Sequence, residues 1–348
     1  MNIKKTVLVL ILLIVNLFML SGCENIPGAV NEKPESKTQF VLGTTVTVQI
    51  YGDHSDEIFQ KVFQRLRDIE NKMTINSDGS EVMSINENAG KEFVRVSDDT
   101  YIVIKKGVEF SNISDGKFDI SIGPFVKLWN IGTESARIPS AYEIELKRPL
   151  VGYKNVEIDH LQKSIKLKKE GMMLDLGGIA KGYAADEIVS LLRENGIERA
   201  IVNIGGNIFA HGKKLDGSSW NIGIQNPFSK RGDYLGIVSI SDKTVVTSGI
   251  YERFFEEEGI RYHHILDPGT GYPVDNELAG VSIVADKSID ADALSTAAFS
   301  SGVSEGLKLV EGYEGADAVF ITKENKIYIT SGIKDIFSLT DEQFEIVE

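Results

Sequence analysis

Cysteine is almost absent from the sequence: Cys23 is the only one in 348 residues. An intrachain disulfide is therefore impossible, and a chain of this size must be held by its hydrophobic core alone. Basic residues are also in deficit, with 37 Lys and Arg against 51 Asp and Glu and a formal net charge of −14. That sign repels phosphate backbones and anionic headgroups, which argues against nucleic acid as a partner and against a basic patch as a membrane anchor. Histidine is scarce as well, with 5 in the chain, so imidazole chemistry has few places to be. There is no low-complexity tract and no internal repeat. One long apolar run exists, at residues 6–20, and Asn16 interrupts it. It is too short for a comfortable membrane-spanning helix.

Lys4 and Lys5 precede that run, and Ser21-Gly22-Cys23 follow it. A charged start, an apolar stretch and small residues make the pattern of a secretion signal. Leu20-Ser21-Gly22-Cys23 resembles the lipobox of bacterial lipoproteins, in which the cysteine is lipidated and becomes the mature N-terminus. The resemblance implies lipidation at Cys23 and a place in the bacterial cell envelope. There the protein would be lipid-anchored on the extracytoplasmic face of a membrane. Loss of residues 1–22 removes two lysines and no acids, leaving 35 basic against 51 acidic residues, a net of −16. Residues 24–37, polar and with two prolines, read as a tether. The expected division is a signal peptide at 1–22, a lipidated tether at 23–38 and one catalytic domain at 39–348.

The rest has an ordinary globular composition, 42% hydrophobic and 25% charged over the full chain. Residues 45–51 alternate polar side chains with Val46, Val48 and Ile50, as a half-buried strand does. Ser55 offers an N-cap to a helix with Val62, Leu66, Ile69 and Met73 on one face. Residues 100–111 read as a helix, 200–204 and 235–240 as strands, and 318–322 with 326–330 as a hairpin. Helices and strands mix without strict βαβ alternation, so the expected class is α+β.

Within this frame Asp175-Leu176-Gly177-Gly178-Ile179-Ala180-Lys181-Gly182 runs from a short apolar strand through two glycines into a helix. Ile179, Tyr183, Ala184, Ile188, Leu191 and Leu192 recur at a period of 3.6, and Gly196 is the stop. Glycines let a ligand approach the backbone, the first-turn N–H groups form an anion site, and Lys181 adds a full charge. Tight strand–helix packing explains the same glycines. Asn203-Ile204-Gly205-Gly206-Asn207 repeats the pattern after a second strand, either as a bulge or as a close approach to a ligand. Residues 118–125 end an apolar alternation in Gly123-Pro124 before Trp129, which reads as a core strand and turn or as a ring-stacking wall. Thr247-Ser248-Gly249 and Arg253 suit a phosphate or carboxylate, although a surface ion pair is a common use of arginine.

His263-His264 stand before an Asp267-Pro268-Gly269 turn. No third ligand at zinc spacing accompanies them, and a general base fits one histidine better. Strand alternation points the two rings to opposite faces. In the last cluster, Asp292, Ser295 and Thr296 fall at i, i+3 and i+4. On a helix they share one face and present only oxygen, the donor set that Mg²⁺ prefers. Asp290 or Asp292 as a simple N-cap is the alternative.

Taken together these motifs resemble the ApbE family of FAD:protein FMN transferases, which are Mg²⁺-dependent and often lipoproteins. The likeness rests on Leu42-Gly43-Thr44, residues 119–124, residues 175–182, residues 203–207, Thr247-Ser248-Gly249, residues 264–268 and residues 291–297, in order. It implies an α+β, T-fold-like single catalytic domain. The implied reaction is transfer of FMN from FAD to a threonine hydroxyl of an exported flavoprotein, through a phosphoester bond, with release of AMP. By the same resemblance FAD contacts fall to Leu42, Asn76, Trp129, Asp175, Lys181 and Ile265. Mg²⁺ falls to Asp292, Ser295, Thr296 and main-chain oxygens near Gly178 and Ala180. In a phosphoryl transfer of this kind a base takes the acceptor proton, and His264 is the candidate. Two other outcomes fit the same residues, an FAD pyrophosphatase and a lipoprotein that binds flavin without chemistry.

Overall fold

The structure, a computed structural model, describes residues 33–347. The secretion signal and Cys23 lie outside the described residues. The chain starts with the hairpin β1 (Glu35–Val41) and β2 (Thr44–Ile50), followed by α1 (Asp56–Met73) and α2 (Glu81–Glu87). Next come β3 (Val94–Arg95), α3 (Asp98–Ile113), α4 (Gly123–Trp129), α5 (Ala141–Lys147), β4 (Val156–Asp159), β5 (Ser164–Leu167) and α6 (Ala180–Glu194). Seven strands follow: β6 (Ala200–Ile204), β7 (Asn207–His211), β8 (Trp220–Gln225), β9 (Tyr234–Ile240), β10 (Lys243–Gly249), β11 (Phe254–Glu257) and β12 (Ile260–His263). The chain closes with β13 (Leu278–Ala285), α7 (Ser288–Glu311), β14 (Ala316–Thr322), β15 (Lys326–Ile329), β16 (Phe337–Leu339) and β17 (Glu345–Ile346).

A nine-stranded sheet runs in the order β1-β2-β6-β7-β10-β13-β14-β15-β17. Each neighbouring pair is antiparallel except β15 with β17. Val46, Val48 and Ile50 alternate inward on β2, and Ala200, Val202 and Ile204 do so on β6. They meet Val62, Leu66 and Ile69 of α1 and Ile188 and Leu192 of α6 in the main core. A three-stranded sheet, β16-β9-β8, lies against the other side of the large sheet. Val238 and Ile222 meet Val245, Val284 and Val319 there in a second core. Strand β13 is consequently buried at every position, the continuous apolar run expected of a strand covered on both faces.

The antiparallel order places the site. Residues 42–43 turn β1 into β2, and because β2 pairs antiparallel with β6, the turn at Gly205-Gly206 falls at the same end of the sheet. Strand β10 finishes at that rim too, with Gly249 opposite Gly280.

Two expectations need correction. Strand β1 begins at Glu35 and pairs residue by residue with β2, so the fold starts ahead of the boundary at 38–39. Its polar composition belongs to an exposed edge strand rather than to a tether. Residues 118–122 make a buried turn with a single bridge, Ile122 to Met173, rather than a strand. The chain enters α4 at Gly123, with Pro124 in the first turn where its missing N–H costs nothing. Ser55 does stand at the N-cap of α1, but its side chain makes no capping bond.

Candidate active site

The corner that opens α6 is built from Asp175. Its backbone N–H donates to Ile120 O at 2.8 Å, and its Oδ1 accepts from Gly177 N–H at 2.7 Å. A side chain at Gly178 would stand 3.1 Å from Phe118 Cε2 and 3.6 Å from Thr296 Oγ1. The bare backbone of Gly178 thus faces α7. One turn into α6, Gly182 N–H donates to Asp292 Oδ2 at 2.9 Å, so it does not close the helical turn on the Gly178 carbonyl. A Cβ at Gly182 would sit 2.2 Å from Ser288 O, which makes this glycine the contact point of the two helices. Lys181 Nζ reaches Asp292 Oδ1 at 3.0 Å. Asp292 is only 3% exposed, and its charge is offset by this ammonium and by the positive end of α6.

A carboxylate on α6 fixes where α7 begins. Asp186 accepts from Ser288 N–H at 2.8 Å and Ile289 N–H at 3.0 Å, and burial pushes its pKa up to about 6. The N-cap position is Lys287, so neither Asp290 nor Asp292 caps the helix. Asp290 pairs with Lys106 at 3.2 Å, and Asp292 lies a full turn inside α7. Ser295 and Thr296 share its face, but not equally. Ser295 is fully enclosed, held between Asp292 O at 2.9 Å and Ser248 Oγ at 2.8 Å, whereas Thr296 keeps an open side. Ser295, expected among the cation ligands, therefore stands behind Thr296, because β10 packs over its hydroxyl.

The two histidines face apart. His263 is buried, donates from Nε2 to Val274 O at 2.9 Å and meets Phe299 edge-on. Burial lowers its pKa to about 4. His264 keeps an open face while protein crowds around it, as in a cleft. Its Nδ1 is 3.2 Å from Arg253 O. A carbonyl only accepts, so Nδ1 carries the proton and Nε2 is left with a free lone pair. The crowding and the Arg253 guanidinium hold the ring well below the usual histidine range, so it is neutral at pH 7.

Arg253 links the remaining pieces. It donates to Gly43 O at 2.9 Å and so ties down the turn in which Leu42 adopts the left-handed φ of 56°. Leucine occupies that region at a cost of about 1 kcal/mol. Burial raises the Asp175 pKa against the pull of the Gly177 N–H, Lys127 and Arg253. Lys127 in turn donates to Asn76 Oδ1 at 2.9 Å. Glu252, 3.9 Å from where a Cβ on Gly206 would be, is raised by burial and opposed by Arg231, Lys181 and Arg253. Leu42, Asn76, Asp175, Lys181, His264 and Asp292 are thus linked to one another through Arg253, Lys127 and Lys181.

Trp129 and Ile265 are placed differently. Trp129 is fully buried, its Nε1–H donates to Gly271 O at 2.7 Å, and Tyr262 and Tyr272 cover its ring. It offers no open face for a flavin and sits in a small core with Phe125, Ile144 and Leu266. Ile265 is likewise in the main core. Ala180 opens α6 with its N–H on Leu176 O.

Sequence reasoning passed over Asp186 and the link that Ser248 makes to α7. It also missed Asn86, whose amide brackets Leu174 by accepting from its N–H at 2.7 Å and donating to its carbonyl at 3.1 Å. Only Ser248 had a local signal, the hydroxyl pair Thr247-Ser248 before a glycine. Among the described residues no three His, Cys, Asp or Glu side chains converge on a common point. A cation here would depend on one carboxylate with hydroxyl and carbonyl oxygens, a set that fits a hard ion.

Residues 42–320 match the model of the ApbE family. The FAD:protein FMN transferase of Klebsiella pneumoniae (strain 342) is 37% identical over 313 residues, 90% of this chain and 97% of its own. That of Treponema pallidum (strain Nichols) is 35% identical over 346 residues, 94% of this chain and 95% of its own. Among solved structures, the ApbE protein of Thermotoga maritima has a TM-score of 0.81 at 33% identity, covering 87% of this chain and 99% of that one. The flavin transferase ApbE from Vibrio cholerae gives 0.79 at 26% identity, covering 87% and 100%. The match begins at the Leu42 turn and runs past the helix of Asp292, so every wall of the cleft falls within it, and the chain belongs to the ApbE family.

Proposed function

We propose that this protein is an FAD:protein FMN transferase. The carrying observation is that the helix start with Lys181, the Arg253 guanidinium and a neutral His264 with a free Nε2 meet along one sheet rim, in a chain whose relatives bear that name. Lys181 and the positive end of the α6 dipole hold the pyrophosphate of FAD, since the Gly177, Ala180 and Gly182 N–H groups are already bonded within the protein. An acceptor hydroxyl oxygen attacks the phosphorus of the FMN half, and its proton passes to His264 Nε2. The bond from that phosphorus to the bridging oxygen breaks, and AMP departs with the oxygen. Asp175 keeps the glycine corner in shape by accepting from Gly177.

Asp292, Thr296 and main-chain oxygens near Gly178 and Ala180 would hold Mg²⁺, which would supply charge neutralisation on the pyrophosphate. The acceptor in this reading is a threonine on an exported flavoprotein. The pattern at residues 20–23 supports lipidation at Cys23 and attachment on the extracytoplasmic face of a membrane.

The test is to incubate the protein, FAD and Mg²⁺ with a threonine-bearing flavoprotein domain and to follow acceptor mass and nucleotides. Transfer adds one FMN less water to the acceptor and releases AMP in equal amount. AMP with free FMN and an unchanged acceptor would make the protein a hydrolase, and no conversion would make it a binder.

A further inference from the structure

We propose that Ser248 is a positioning residue that sets the direction of the Thr296 hydroxyl, turning the oxygen lone pairs of Thr296 rather than its proton toward a bound cation. The inference rests on the function proposed above. Ser248 lies near the end of β10 on the side where Val246, two residues earlier, enters the main core beneath the helices. Its Oγ is 2.8 Å from Ser295 Oγ and 3.3 Å from Thr296 Oγ1. The carbonyl oxygen of Asp292 is 2.9 Å from Ser295 Oγ and 3.5 Å from Thr296 Oγ1.

Three hydroxyls have three protons, and the carbonyl has none. Two orders run one unbroken chain through all three hydroxyls to the carbonyl. In one, Thr296 donates to Ser248, Ser248 to Ser295, and Ser295 to Asp292 O. In the other, Ser295 donates to Ser248, Ser248 to Thr296, and Thr296 to Asp292 O. The second order ends on the 3.5 Å contact, where a hydroxyl hydrogen bond has little strength. It also leaves Ser295 Oγ and Asp292 O facing each other at 2.9 Å with no proton between them. Both are enclosed in protein, where such a clash of lone pairs is not relieved by water.

Of these two chains the first is the better. The arrangement in which Ser248 and Ser295 bond as in the first but Thr296 turns its proton away leaves Ser248 Oγ and Thr296 Oγ1 3.3 Å apart with no proton between them. The proposed order is the first. Its outer end is Thr296, the one hydroxyl of α7 here with an open side. In this order its proton turns inward to Ser248 and its lone pairs face the side of Gly178. Without Ser248 the Thr296 hydroxyl rotates freely and can present its proton to a cation.

The experiment is a titration of Mn²⁺ binding, read by the loss of free-ion electron paramagnetic resonance signal, with ADP present as a pyrophosphate probe. Ser248→Ala should weaken Mn²⁺ binding by about 10- to 100-fold, the usual effect of losing a partner of a ligand. Ser248→Thr should restore most of it, and Thr296→Ala should weaken it at least as much as Ser248→Ala. Ser248→Cys, near in size but a weak hydrogen-bond partner, should behave like Ser248→Ala and serves if the alanine variant does not fold. Wild-type Mn²⁺ affinity in Ser248→Cys or Ser248→Ala, beside a weakened Thr296→Ala, would overturn the role of Ser248 alone. Failure of the wild type to bind Mn²⁺ with ADP would overturn the cation site and this inference together.

Discussion

Gly182→Ala tests the joint between α6 and α7 directly. The added methyl would stand 2.2 Å from Ser288 O, 2.6 Å from Ser288 C and 2.8 Å from Asp292 Cβ. None of these is the free end of a flexible side chain, so the helices must part. Overpacking of this kind costs about 1–3 kcal/mol. Parting also stretches the Gly182 N–H bond to the Asp292 carboxylate, a charge-assisted bond at 2.9 Å worth about 1.5–3 kcal/mol. Alanine recovers at most about 1 kcal/mol of helix propensity. The net loss is about 2–5 kcal/mol, which urea unfolding would register as a lower midpoint at unchanged slope. Gly178→Ala is the contrast. Its nearest neighbours are the edge of the Phe118 ring at 3.1 Å and Thr296 Oγ1 at 3.6 Å. Stability should therefore change by less than about 1 kcal/mol, while activity falls because a methyl intrudes between the corner and Thr296. Wild-type stability in Gly182→Ala would refute the claim that this glycine sets the helix spacing.

His264→Asn should lower turnover by about 10²- to 10⁴-fold with a smaller change in FAD affinity, whereas His263→Asn should act mainly on stability. Because the His264 pKa is lowered, the base is ready at neutral pH. The acid limb of kcat/KM should fall below pH 6, and a limb centred near the ordinary value of about 6.5 would contradict this. Asp292→Ala should remove most activity while the fold survives, and EDTA should inactivate the wild type with recovery on adding Mg²⁺. Full activity in EDTA would end the cation proposal. Asp99 accepts from Arg65 and Lys72 and from the Tyr183 hydroxyl, at 2.7, 2.6 and 2.6 Å, and Arg65 first holds its pKa well below the carboxylate range. Stabilisation from a lowered pKa is present above the unfolded value and lost as pH falls through the folded one. Asp99→Asn should thus cost about 3 kcal/mol at pH 7 and progressively less below about pH 4, and a deficit independent of pH would argue against it. Cys23→Ala should abolish metabolic lipid labelling and release the protein from membranes, and a labelled, membrane-bound variant would remove the anchor proposal.

Local periodicity alone determined much of the architecture. The strand at 200–204, the helix face of Val62, Leu66 and Ile69 and the hairpin at 318–330 depend on the burial pattern of neighbouring residues, which is written in their order. Two glycine corners and an i, i+3, i+4 oxygen face were legible for the same reason. Tertiary structure alone decided what each of those groups touches. Trp129 reads equally as part of a core turn or as a stacking wall until Tyr262 and Tyr272 are seen to cover it. Ser295 and Thr296 are equivalent by helical geometry, and only the arrival of β10 encloses one and leaves the other open. The start of α7 is set by Asp186, 102 positions before Ser288. Asp292 is neutralised by Lys181 across 111 positions. A hydrogen bond between groups so far apart in the chain depends on how sheet and helices pack, and neither residue carries a local sign of its partner.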